Sequence, residues 1–181
     1  MVVPTENYLV ITVICATIEA IEVQLTKLVF SCNCNILNTR MTSMGTEMTI
    51  TAMISGAWSS IARIEVGLVR LEKKYSAKIY SKRTILPDLS EKLMSYGVHA
   101  VTIDKPGILT GLTNFFMQQQ IMIEDIRAET FLKPNGIRIL SLSLQLHIDL
   151  SVHIPTLRNN FLTYCDKMNL DAGIEPMRDI Y

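Results

Sequence analysis

The chain has 181 residues, of which 49% are hydrophobic and 19% charged, and its 17 basic and 17 acidic side chains leave a formal net charge of zero. That length suits one or two compact domains. A neutral chain lacks the positive electrostatic footprint of a protein that binds DNA directly, which argues against a free-standing DNA-binding domain. The apolar content indicates a globular protein with a buried subunit interface.

The amino terminus shows no basic segment followed by an apolar core, so no secretory signal is predicted. No apolar run reaches the roughly 18–20 residues that a membrane span needs. The four cysteines lack the regular spacing of a secreted disulfide scaffold, and no second pair of ligands completes a zinc site with Cys32 and Cys34. We therefore expect a cytoplasmic protein with reduced thiols and no metal or cofactor.

The first half of the chain is predicted to fold as a strand, a helix, two strands, a helix and a strand. Alternating or β-branched apolar runs mark the strands, and apolar residues three and four positions apart mark the helices. In chain order the elements are a strand over 8–14, a helix over 18–32, strands over 34–43 and 48–54, a helix over 61–71 and a strand over 78–84.

The second half repeats this order after a linker predicted over residues 86–96, which contain a Pro-Asp pair. Its strands are expected over 99–103, 121–130, 140–148 and 170–176, and its helices over 108–116 and 154–168. In the third of these strands, leucines alternate with Ser141, Ser143 and Gln145. That alternation predicts one face buried beneath the helices and a polar face opposite.

The two halves align as copies of one unit. An offset of 87 residues places Leu25 on Leu112, and an offset of 93 places the later helix stripe of Ile64 and Leu68 on Leu157 and Phe161. A repeat of this size indicates two small domains, over residues 1–85 and 97–181. The order βαββαβ predicts the α+β, ferredoxin-like arrangement, an antiparallel four-stranded sheet with both helices on one face.

One motif in the second half is suited to binding a ligand. Asp104, Lys105, Pro106, Gly107 and Ile108 lie between the first predicted strand and helix. Asp104 is a favourable helix N-cap, Pro106 fits a first turn, and a glycine lets a ligand approach the backbone. Free N–H groups at the helix start suit a carboxylate, and the aspartate suits an ammonium group. The alternative is simply a well-capped helix.

A D-x-P-G-I motif in this place of a βαββαβ unit resembles the ACT domain, a small regulatory module that binds amino acids in many metabolic proteins. The second half also ends with two segments, 161–172 and 174–178, that resemble one ACT family, the glycine cleavage system transcriptional repressors. Two ACT domains make up essentially the whole of such a protein. The first half resembles that family more specifically, in the segments SCNCNI (31–36), TRM (39–41), MGTE (44–47) and ISGAWSSI (54–61).

This resemblance implies a regulator and not an enzyme. Members of the family repress the glycine cleavage operon without a helix-turn-helix of their own, by contacting a LysR-type DNA-binding activator, and glycine is expected to relieve the contact. The alternative is a regulatory subunit or detached regulatory domain of an amino-acid enzyme. The protein that co-purifies with the chain would distinguish the two. No nucleophile with a base beside it is evident in the sequence.

The resemblance also implies where a ligand binds. In ACT domains paired side by side, the ligand lies between the helix-start loop of one domain and the start of the second strand of the other, where an asparagine often contributes. One complete site would then join residues 104–108 to Asn35 and Ile36. Its counterpart, from Thr17 and Ala20 with Met122, has lost the motif. The alternative is that neither pocket binds and the chain is only an interaction scaffold.

Two further features bear on partner binding. Trp58 follows the third strand, where it would either anchor the helix start or contact a partner protein, since tryptophan is favoured in both places. The basic residues between Arg63 and Arg83 alternate with Glu65 and Glu72 at helical spacing. We interpret that stretch as a solvated helix face with local ion pairs.

Overall fold

The computed structural model describes residues 6–16, 21–86 and 93–177. The chain divides into two compact units, Met1–Pro87 and Asp88–Tyr181, and each unit has its own hydrophobic core. In both units the described residues follow the order strand, helix, strand, strand, helix, strand. The predicted pair of βαββαβ domains is therefore confirmed.

The elements of the first domain are β1 (Asn7–Cys15), α1 (Ile21–Ser31), β2 (Asn35–Met44), β3 (Glu47–Gly56), α2 (Trp58–Tyr75) and β4 (Lys78–Thr84). Those of the second are β5 (Leu93–Ile103), α3 (Ile108–Gln118), β6 (Met122–Leu132), β7 (Arg138–Asp149), α4 (Ile154–Met168) and β8 (Asp171–Pro176).

The predicted linker is too long, because β5 begins at Leu93. Leu93 to Tyr96 pair with β7, so these residues belong to the sheet and not to the connection over 86–96. Met94 and Tyr96 pack against the core of the second domain, which explains why the strand extends this far.

Both sheets are antiparallel and have the same strand order, β2-β3-β1-β4 in the first domain and β6-β7-β5-β8 in the second. The helices α1 and α3, which are equivalent in the two copies, begin 87 residues apart. The equivalent strands β2 and β6 also begin 87 residues apart. Each of those strands carries a bulge at the same place, between Ile36 and Asn38 and between Ile123 and Asp125. The copies therefore share their geometry down to this irregularity.

The faces of β7 are as the alternation predicts. Its even-numbered residues from Leu140 to Ile148 are buried in the core, whereas Ser141, Ser143 and Gln145 remain half-buried on the other face. The core of the second domain is aromatic where the two helices meet, with the rings of Phe116 and Phe161 5.4 Å apart. The first domain packs only smaller aliphatic side chains at the equivalent places.

Tyr164 is a weak point of the second core, because its buried hydroxyl lacks a hydrogen-bond partner among the described residues. Burial also raises the pKa of this phenol. We expect Tyr164→Phe to raise the free energy of unfolding by about 1 kcal/mol, since it removes an unsatisfied polar atom and keeps the ring contact with Phe115. Urea unfolding measures the change. A loss of stability would show that the hydroxyl is hydrogen-bonded in solution.

Candidate functional site

The loop between β5 and α3 holds the predicted ligand motif, and its geometry corrects one detail of the prediction. The backbone N–H of Asp104 donates to the carbonyl oxygen of Arg138 at 2.9 Å, which ties the start of the loop to β7. The helix begins only at Ile108, and its N-cap is Gly107. Asp104 is therefore not the N-cap, and Pro106 precedes the first helical turn.

Gly107 explains this later start. Its backbone has φ 92° and ψ −9°, in the left-handed region that side chains disfavour, so the chain turns once more before it enters the helix. Nothing lies within 4 Å of the place where a Cβ would be built. The position thus combines an unusual backbone conformation with open space beside it, and only glycine adopts that conformation readily.

The start of α3 has the properties of an anion site. No side chain caps it, and the first N–H groups of a helix have no partner within the helix. The side chain of Ile108 is buried in the core, so this residue offers a ligand only its backbone. Asp104 is half-exposed and Lys105 is exposed, which leaves one carboxylate and one ammonium group in the loop.

The two site residues predicted in the first domain begin β2. Asn35 is exposed and lies opposite Ser55 in the sheet, whereas Ile36 packs against the core of its own domain. Their participation in one pocket with the loop stays a prediction. Of the predicted degenerate counterpart, residues 17–20 lie outside the described residues, and Met122 is exposed at the start of β6.

Trp58 is the first residue of α2 and is 63% exposed, so it does not anchor the helix start by burial. The guanidinium of Arg83, on β4, lies 5.1 Å from the centre of the indole ring. Arg83 in turn donates to both carboxylate oxygens of Glu65, at 3.0 and 2.8 Å. These hydrogen bonds lower the pKa of Glu65. A role in partner binding stays a prediction for Trp58.

The acidic residues of the basic stretch pair across the fold, and not along the helix as predicted. Glu65 binds Arg83, 18 residues away, and Glu72 accepts a hydrogen bond from the backbone N–H of Ile79 at 3.2 Å. Arg63 donates to the carbonyl oxygen of Cys32 at 2.9 Å, just after α1. Helical spacing alone does not predict these contacts, since they join residues that only the folded chain brings together.

His147, His153 and Cys165 have reactive side chains, but their contacts are structural. His153 caps α4, with Nδ1 2.7 Å from the hydroxyl of Thr156, and His147 lies 3.1 Å from Glu124. No disulfide joins the described cysteines, and burial raises the pKa of Cys165 to about 11, so this thiol stays protonated at neutral pH. Within residues 6–16, 21–86 and 93–177, no three metal-binding side chains cluster.

No helix in the part of the chain that the structure describes has both the length and the hydropathy to cross a membrane. Residues 7–81, nearly all of the first domain, match the family model of the ACT domain. The second domain has the same element order and the same sheet topology. These observations place the first domain in the class of ACT domains, and the second domain shares its ferredoxin-like fold.

Within that class, the chain resembles the glycine cleavage system transcriptional repressors, as its motifs predict. It is 27% identical over 180 residues to the proteins of that name from Escherichia coli (strain K12) and Shigella flexneri. Each alignment covers 96% of this chain and 92% of the relative. The curated relatives are thus named as regulators, and the similarity extends over both domains.

Two solved structures agree with this fold. A crystal structure provisionally described as a glycine cleavage system transcriptional repressor has a TM-score of 0.74 at 25% identity, covering 97% of this chain and 99% of the other. An unknown protein from Galdieria sulphuraria has a TM-score of 0.79 at 14% identity, covering 96% and 99%. The second likeness supports the fold alone.

Proposed function

We propose that this chain is an amino-acid-responsive transcriptional regulator that represses the glycine cleavage operon by contacting a DNA-binding partner protein. The observation that carries this proposal is the similarity to named repressors over 96% of the chain. The partner would be a LysR-type activator, and the site of action the cytoplasm. The chain would hold no catalytic centre of its own.

An indirect mode of action agrees with the charge and the fold. The formal net charge is zero, whereas proteins that bind DNA by themselves are typically basic overall. Each of the four helices in the described residues lies within a βαββαβ unit, two to each domain. No further helix is described that would supply a separate recognition element for the major groove.

The loop before α3 supports a small amino acid as the effector. The uncapped N-terminal N–H groups of the helix would bind the carboxylate, and Asp104 would accept hydrogen bonds from the ammonium group. Open space at Gly107 would admit the ligand to the backbone. Lys105 and Pro106 would shape the loop, and Asn35 would complete the pocket. Glycine, the substrate of the repressed pathway, is the effector that this proposal names.

A gel shift tests the proposal directly. We expect the chain to alter the mobility of glycine cleavage operon DNA only when the LysR-type activator is also present, and glycine to reverse the change. Trimethylglycine is the matched control, because it keeps the carboxylate but has no N–H for Asp104 and should leave the complex intact. Tight, sequence-specific binding of DNA by the isolated chain at physiological salt would contradict the proposal.

A further inference from the structure

The outer side of α2 carries apolar side chains that the first core does not use. Trp58, Val66 and Val69 are 63%, 59% and 52% exposed. Their spacing of eight and three residues places them on one side of the helix, away from the buried Ile61 and Ile64. We call these three residues, together with Arg70, Lys73 and Lys74 of the same helix, the α2 surface.

The ring of Trp58 has a contact within its own domain that favours one orientation. Arg83 stacks on its ring, and Glu65 fixes Arg83 through two hydrogen bonds. Tryptophan and arginine are enriched among the residues that dominate binding energy in protein interfaces. A side chain that is already ordered loses less conformational entropy on binding. An exposed tryptophan whose ring already has this contact is therefore well suited to be the centre of an interface.

The rim of the α2 surface is strongly basic. Residues 63–83 contain seven lysines and arginines but only two glutamates. The glutamates are occupied, Glu65 by Arg83 and Glu72 by a backbone N–H. Within the described residues no carboxylate pairs with the exposed helix cations Arg70, Lys73 and Lys74. Lys78 and Lys82 pair with Ile14 and Val10 on the face of the sheet away from the helices, so they are not part of this surface.

The second domain provides an internal comparison, because it has the same fold but keeps only part of this surface. Lys78 pairs with Ile14 in the first sheet as Asp171 pairs with Val101 in the second, so positions 93 residues apart are equivalent in this region. The counterparts of Trp58, Val66 and Lys73 are Ser151, Asn159 and Asp166, whereas those of Val69 and Lys74 are Leu162 and Lys167. The fold therefore does not require Trp58, Val66 or Lys73.

We propose that the α2 surface is the docking site of the partner protein, and that the partner presents an acidic segment with exposed aliphatic side chains. This inference deepens the proposed function and rests on it. Carboxylates on the segment match Arg70, Lys73 and Lys74, and its aliphatic side chains cover Trp58, Val66 and Val69. A nucleic acid backbone would match the cations but leave the two valines without an apolar partner.

Trp58 reports on its own environment, because it is the only tryptophan in the chain. Incorporation of 5-fluorotryptophan gives one fluorine resonance, which we expect to shift or broaden when unlabelled LysR-type activator, bound to its operator DNA, is added. An unchanged resonance in a sample whose gel shift shows the complex would overturn the inference but leave the proposed function standing. A shift caused by the DNA alone would also overturn it, in favour of a nucleic acid surface.

Matched variants separate this surface from the rest of the protein. We expect Trp58→Ala and Lys73→Glu each to weaken the complex with the activator by about tenfold or more, as losses at an interface centre do. Lys27→Glu makes the same charge change on α1 and should alter the affinity less than twofold. Equal binding by all three variants would overturn the inference. Failure of the wild type itself to bind would overturn both proposals, and circular dichroism confirms that each variant is folded.

Discussion

Replacing Phe161 with alanine is expected to destabilise the second domain by about 3–5 kcal/mol, the usual cost of removing a buried aromatic ring. Phe161 lies on α4, is fully buried, and packs against Phe115 and Phe116 of α3 with ring centres 5.6 and 5.4 Å away. Its loss removes apolar contacts from both helices and leaves a cavity between them and the sheet. Chemical denaturation followed by circular dichroism measures the change.

The adjacent Leu162 is the matched control, since it is 41% exposed and leaves a smaller void when truncated. Leu162→Ala should cost well under half as much as Phe161→Ala. Trp58 lies in the first domain, so its fluorescence follows the unfolding of that domain, and the two cores share no residue. We therefore expect the unfolding midpoint measured by Trp58 fluorescence to move little in Phe161→Ala. An equal shift of both signals would show that the two domains unfold as one unit.

The sequence predicts most of the fold because the apolar periods are undisturbed along the chain. In β7 the strict alternation of leucine with serine and glutamine leaves only one register that buries every leucine. The duplication makes the prediction firmer, since a strand or helix found in one copy must have a counterpart in the other. The weakest predicted strand, β8, was recognised in this way.

The ends of elements were less predictable. The start of β5 was missed because Pro87 and Asp88 indicate a connection, whereas the packing of Met94 and Tyr96 decides where the strand begins. The N-cap of α3 was misplaced because Asp104 is the better capping residue by propensity. The left-handed backbone of Gly107 overrides that propensity and delays the helix by one turn.

The sequence names candidate residues for a site but does not give their geometry. The motif in the loop is contiguous, so its residues could be named from the sequence. The contacts around Trp58 could not, because Arg83 and Glu65 are brought to it by the packing of β4 beside α2. The side chain of Ile36 packs against the core of the first domain, and its part in binding a ligand stays a prediction.

Gly107→Val is expected to lower the affinity for glycine by about tenfold or more, for two reasons. A side chain in the left-handed conformation costs roughly 1–2 kcal/mol, more for a β-branched one, so the loop is driven from its native shape. The new methyl groups would also fill the open space beside the first N–H groups of α3. Calorimetric titration of the wild type and the variant with glycine, and with serine as a second small amino acid, measures the affinity.

Gly136→Val is the control that separates backbone strain from loss of the binding site. Gly136 has φ 79° in the turn between β6 and β7 and also has open space around it. It should cost similar stability and leave the affinity for glycine unchanged. Asp104→Ala and Asn35→Ala should weaken binding by on the order of 1 kcal/mol through lost hydrogen bonds, and Met122→Ala should not. Equal losses in Gly107→Val and Gly136→Val would attribute the effect to instability. Unaltered binding in Gly107→Val, Asp104→Ala and Asn35→Ala would place the effector elsewhere on the chain.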